Sequence, residues 1–187
     1  MNRIYNLLVI LWLSIAPSFA QKAPVIWGKI PPEDLKMTHY EADSSAGAVV
    51  LANYGKLTFN FLAQDGDTRF ELAIHKRIKI LNKAAFEEGD IEIPFYSENK
   101  YEVINKLRAQ LITPDGKVIQ VNKKDIFVEK VNNRLSLKKF TFSNLMEGAV
   151  VEYQYTLSSK DLIHLEEWYF QENIPVRWSE LLSLIHI

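Results

Sequence analysis

The sequence predicts an all-β protein, an antiparallel β-sandwich of about nine or ten strands with short helical turns. Three observations carry this. From Ala48 onward most of the chain alternates apolar and polar residues with a period of two. Turn signals built from Gly, Pro, Asp and Asn recur roughly every dozen residues. No segment sustains a helical period, which excludes βαβ units.

Met1 to Ala20 reads as a secretory signal peptide, and residues 1–20 are assigned to it. Arg3 supplies the positive start, Leu7 to Ile15 the apolar run, and Ser18-Phe19-Ala20 a cleavage site of small-x-small type. The apolar run is shorter than the roughly 20 residues a membrane-spanning helix needs, so no stable span is expected after cleavage behind Ala20. Residues 21–47 are read as an extended arm with one short helix at Ile30 to Met37, where Pro31 and Pro32 suit the first turn and Glu33 and Asp34 suit the helix dipole.

Residues 48–180 form the expected sandwich. Ala48 to Tyr54 and Leu57 to Ala63 read as two strands joined by a Gly55-Lys56 turn, and Gln64-Asp65-Gly66-Asp67 as a second turn. Arg69 to Ile80 is the clearest strand. Phe70, Leu72, Ile74, Ile78 and Ile80 share one face, which Lys76 interrupts; Arg69, Glu71, His75, Arg77 and Lys79 share the other. Its length suggests a bend or bulge near His75-Lys76. Asn82 to Glu88 reads as a helical turn capped by Gly89. Strands follow at Asp90 to Phe95, then Val103 to Thr113 and Lys117 to Val121 around a Pro114-Asp115-Gly116 turn. Lys138 to Phe142 and Ala149 to Leu157 alternate again, while Lys123 to Phe127 is ambiguous. Glu167 to Trp178, broken by Pro175, reads as an edge strand or an interrupted one.

Composition narrows the function classes. The net charge is −1, with both signs interspersed, so nothing points to nucleic acid or an anionic membrane as a partner. The chain has no Cys, which excludes a thiol nucleophile, disulfides and a lipid-modified N-terminal cysteine. There is no Gly-x-Ser-x-Gly elbow for a serine hydrolase. His39, His75, His164 and His186 lack the close spacing of metal ligands. His75 is expected on a solvated face. His164 and Glu166 share a side of a strand, an arrangement that suits a surface pair.

Carboxylate pairs occur at Glu87-Glu88, Asp65-Gly66-Asp67 and Glu166-Glu167, but turns and loops are ordinary places for acids, and none is assigned to acid–base work. No catalytic, cofactor-binding or metal-ligating residue is assigned, and no cofactor is expected. Trp168, Tyr169, Phe170 and Trp178, with Tyr153 and Tyr155, form an aromatic cluster that either fills the space between sheets or docks a partner or glycan.

Several stretches together resemble a known family. They are Trp27-Gly28-Lys29 with Pro32-Glu33-Asp34-Leu35-Lys36-Met37, Ala48-Val49-Val50-Leu51 with Tyr54-Gly55, and Arg77-Ile78-Lys79-Ile80-Leu81-Asn82-Lys83. Gly148-Ala149-Val150-Val151-Glu152-Tyr153-Gln154-Tyr155 and Trp168-Tyr169-Phe170-Gln171 follow, and then Ile174-Pro175-Val176-Arg177-Trp178-Ser179-Glu180. In this order and spacing they resemble the domain of unknown function that precedes a transglutaminase-like domain in exported proteins of Gram-negative bacteria.

The resemblance implies a non-catalytic β-module, periplasmic or secreted, that contacts a downstream domain holding a Cys-His-Asp triad. It carries no functional residue onto this sequence. After Glu180 the likeness stops. Leu182 to Ile187 matches the translation of a common transposase-type sequencing adapter, so residues 181–187 are expected to be a non-native tail, the alternative being a genuine apolar strand. The function expected is a module that positions the downstream domain or its substrate; the alternative is a free-standing envelope binding module using exposed aromatics for glycan or peptide.

Overall fold

The computed structural model describes residues 25–60, 68–162, 165 and 167–184; the signal peptide and the Gln64–Asp67 turn lie outside them. Among the described residues nine strands form two sheets. The larger has the order β5-β4-β8-β2-β1-β9, and the smaller β3-β7-β6. Their ranges are β1 Ala48–Asn60, β2 Arg69–Ile80, β3 Asp90–Tyr96, β4 Glu102–Ile112 and β5 Val118–Gln120. β6 Phe127–Lys130, β7 Leu135–Thr141, β8 Val150–Ser159 and β9 Ser179–Leu184 complete the set. A short helix, α1 (Pro32–Lys36), stands in the N-terminal arm, with Glu33 and Asp34 in its first turn. The all-β sandwich is therefore the fold.

β2 occupies the residues its alternation indicates. Its even-numbered apolar residues Phe70, Leu72, Ile78 and Ile80 enter the core between the sheets, with Val151, Tyr153 and Leu157 of β8. Ile91, Ile93 and Phe95 of β3 meet them from the smaller sheet. Phe140 of β7 packs edge-on against Phe142 at 5.7 Å and Tyr153 at 6.0 Å between ring centroids, a favourable quadrupole geometry. The Pro114–Gly116 hairpin forms between β4 and β5, and Gly116 takes φ +85°, which an L side chain resists.

The structure corrects four sequence expectations about the elements. There is no turn at Gly55-Lys56, because β1 runs unbroken from Ala48 to Asn60. What divides it is a bulge between Val50 and Ala52. The extra residue flips the alternation. Val50 faces the main core, Leu51 and Ala52 both face outward, and Leu57 returns to the main core. Gly55 is small for a different reason: a Cβ there would lie 2.6 Å from the Trp168 ring and 2.8 Å from Leu181.

The bulge expected in β2 near His75-Lys76 is absent; β2 pairs continuously with β8, and the irregularities sit in β1 and between Asn105 and Arg108 of β4. Gly89 is not in the left-handed region of a capping glycine. It belongs to the 3-10 turn Lys83–Gly89, whose N-cap is Asn82, and its missing Cβ leaves room for Leu145. Glu167 to Trp178 is not a strand: its described residues are irregular apart from a bridge of Val176 to Val50. Strand structure begins at Ser179, and β9 pairs parallel to β1, an exception in an otherwise antiparallel sheet. β9 includes Leu181 to Leu184, whose backbone pairs with Gly55 to Thr58 of β1 whatever their origin.

The outer face of the larger sheet is not solvated. Ile30, Leu35, Met37 and Tyr40 of the arm pack over Val49, Leu51, Ile112 and Val150. Val25 joins Ala52 and Tyr54, with Trp178 and Leu182 beside them. No helix among the described residues is long and apolar enough to cross a membrane.

Candidate functional site

Two places concentrate polar side chains. The first lies under the arm. Glu152 of β8 stands opposite Arg77 of β2 and Gln110 of β4 in the strand registers, so all three project from the same face. Glu152 is 0 % exposed. Its Oε1 accepts from His75 Nε2 at 2.7 Å and from Arg77 Nε at 2.7 Å. Its Oε2 accepts from Gln110 Nε2 at 2.6 Å and from the Gly28 backbone N–H at 2.9 Å.

Burial pushes the Glu152 carboxyl up, but the His75 bond, the Arg77 charge and the Gly28 N–H outweigh it, and the group is held below the usual glutamate range. Because the carboxylate only accepts, His75 carries a proton on Nε2. The Trp27 ring caps the cluster, 5.7 Å from the His75 ring, with the Arg108 guanidinium 4.2 Å from the Trp27 centroid. His75 is therefore buried, contrary to the solvated position its strand face implied.

Two further charges hold the arm. Lys79, also fully buried, donates to the carbonyls of Leu35 at 2.7 Å and Gly148 at 2.6 Å. Burial lowers its pKa, which the nearby Asp34 opposes. Arg177 grips Asp34 with both guanidinium Nη atoms, a fork that fits a carboxylate. A histidine beside a carboxylate has the outline of an acid–base pair, but each oxygen of this carboxylate already accepts two bonds and none of it reaches solvent. The cluster fastens the arm to the sheet.

The second place is open. A cleft of about 680 Å³ separates the inner face of β1, β2 and β8 from the segment around residues 167–174. Ile74, Tyr153 and Tyr155 line it on the sheet side, with Trp168 and Tyr169 on the segment. Lys76, the break in the apolar face of β2, projects here and donates to both carboxylate oxygens of Glu172 at 2.6 and 2.7 Å. Glu88 lines the same cleft; burial raises its pKa, with Glu172 and Glu87 adding to the rise and Lys76 opposing it.

The aromatic cluster divides by burial. Tyr153 is in the core. Trp168 is wedged on Gly55 and donates from Nε1 to Ser179 Oγ at 3.0 Å, and Trp178 stacks on Tyr54 at 6.1 Å. Tyr169 and Phe170 stay 63 % and 56 % exposed. His39 is exposed beside Thr38, and Glu87 is exposed on its turn. His164, Glu166, His186 and Asp65-Gly66-Asp67 fall outside the described residues. No group of three His, Asp or Glu suited to a metal occurs among the described residues.

The family model DUF3857, a domain of unknown function with a solved structure, matches residues 66–181. The chain belongs to the DUF3857 family. The match spans β2 through β8, so the DUF3857 segment includes Arg77, Glu152 and every cleft residue except Asn53 of β1, whereas the arm that covers Glu152 precedes it. No curated protein matches this chain.

Among solved structures, a "putative protease" from Parabacteroides distasonis ATCC 8503 superposes with a TM-score of 0.57 at 13% identity, over 74% of this chain and 29% of that one. The two share a fold, and this chain spans well under a third of that protein's length. An M1 zinc metallopeptidase from Deinococcus radiodurans gives a TM-score of 0.29 at 10% identity, over 67% of this chain and 23% of that one. Leukotriene A4 hydrolase from Saccharomyces cerevisiae gives 0.30 at 12%, over 68% and 19%.

Proposed function

We propose that this DUF3857 domain is the non-catalytic N-terminal module of an exported transglutaminase-like protein, released to the periplasm or outside the cell by cleavage after Ala20. In that protein it positions the downstream catalytic domain or that domain's substrate. The observation that carries the reading is the saturation of Glu152: the residues most like a catalytic pair are consumed in closing the arm over the sheet. The fold's occurrence within a much longer protein described as a protease supports a modular role.

Exposed Tyr169 and Phe170, next to the segment that leads into β9, offer a contact surface. Sequencing the locus past the Glu180 codon tests the proposal. A frame continuing into a domain with Cys, then His, then Asp is expected, and a verified stop codon shortly after Glu180 overturns it. The second reading, a free-standing binding module for glycan or peptide, rests on the same exposed aromatics and gains from that stop codon.

A further inference from the structure

The cleft beside Lys76 has a neighbour. A groove of about 690 Å³ runs past Tyr96 and Tyr101, and Glu167 lines both hollows. Five of the eight tyrosines of the chain border the pair, with Trp168. Tyr153 is only 8 % exposed and opens into the cleft, yet its hydroxyl has no hydrogen-bond partner among the described residues. Solvent reaches that hydroxyl from the cleft, so a polar atom of a ligand can take the place of water there.

Charge decides which kind. The two hollows are bordered by six carboxylates and two cations, Lys76 and Arg134, in a chain whose overall charge is −1. Both cations already face acids of the lining, Lys76 against Glu172 and Arg134 against Glu98. No lining cation bonds Glu88, whose half-buried carboxyl has a raised pKa.

We propose that the joined hollows bind a basic polypeptide segment, with a lysine or arginine side chain lodged between Tyr153 and Glu88 and its neighbours running past Glu167. The tyrosine hydroxyl oxygen accepts an N–H, the carboxylates supply countercharge, and the aromatic faces attract the cation. An acidic ligand meets repulsion, and a neutral sugar leaves the charge unused. The site stands with or without a following domain, so its failure and that of the modular reading are separate results.

Calorimetric titration of the full chain tests this with three short synthetic peptides, alternating Lys-Ser, Gly-Ser and Glu-Ser, and with a neutral hexasaccharide. The Lys-Ser peptide alone is expected to bind, more weakly as salt rises. Glu88→Gln and Glu167→Gln should each weaken it by about two- to fivefold. Tyr153→Phe, which keeps the ring, should weaken it too, and Glu129→Gln on β6 should not. Melting curves confirm that each variant is folded. Failure of the Lys-Ser peptide to bind, equal affinity for the Glu-Ser peptide, or unchanged binding by both folded glutamine variants overturns the proposal. Salt-insensitive binding of the hexasaccharide overturns it in favour of a glycan.

Discussion

On its outer face the six-stranded sheet buries Arg77, Lys79, His75 and Glu152 beneath the N-terminal arm, whereas on its inner face Lys76, Glu88 and Glu172 stand in an open cleft that no strand of the smaller sheet lines. The same strand feeds both, since Lys76 lies between His75 and Arg77. Where water is excluded, the geometry gives Glu152 four donors and Lys79 two carbonyls, because an unpaired buried charge costs several kcal/mol. Where water enters, Lys76 makes one strong pair and Glu88 is left partly compensated. The sealed face holds the fold together, and the open one is free to meet a ligand.

The sharpest way to break this contrast is Glu152→Ala, which strands Arg77, His75, Gln110 and the Gly28 N–H together. A loss of about 3–5 kcal/mol in urea unfolding is expected; a loss under about 1 kcal/mol would show that the outer face is wet. Glu152 also predicts a pH dependence. Its folded carboxyl lies below the ordinary range, so its contribution is present above the usual glutamate value of about 4.3 and is lost as pH falls through the lower folded value. Acid unfolding curves of the wild type and Glu152→Gln should therefore converge at low pH.

Gly55→Ala forces a methyl against Trp168 and Leu181 and should cost about 1–3 kcal/mol, with a change in near-UV circular dichroism as the Trp168 ring shifts. Trp27→Ala removes the Arg108 contact and the lid over His75, for about 1–2 kcal/mol; amide exchange at Gly28 should accelerate. Lys76→Met in the open cleft should change stability by less than about 1 kcal/mol. A larger loss there would erase the distinction between the two faces.

The sequence made some of this legible and hid the rest for identifiable reasons. β2 was readable to its end residues because Phe70 to Ile80 alternates with one exception, and the Pro114-Asp115-Gly116 turn carries its own chemistry. β1 reads as two strands flanking a glycine because a bulge reverses its alternation at Leu51-Ala52. The buried network was hidden because His75, Arg77 and Lys79 alternate as a solvated face would. The arm that covers them is distant in sequence and aperiodic. The signal that could have exposed it was pairwise: Arg77 and Glu152 become cross-strand neighbours once β2 and β8 are aligned. The aromatic cleft is half legible, since Trp168 to Phe170 is plainly aromatic in sequence but its approach to Lys76 and Glu88 depends on an irregular path without periodicity.

The clasp over Glu152 also sets an order in time. Gly28 waits for a partner 124 residues away and Asp34 for one 143 residues away. A ribosome delivers Asp34 143 residues ahead of Arg177, and contacts of such separation are slow to form. The first described segment to be synthesised is thus among the last to find its place, and until Arg177 has been added the charged face of β2 has no complete cover.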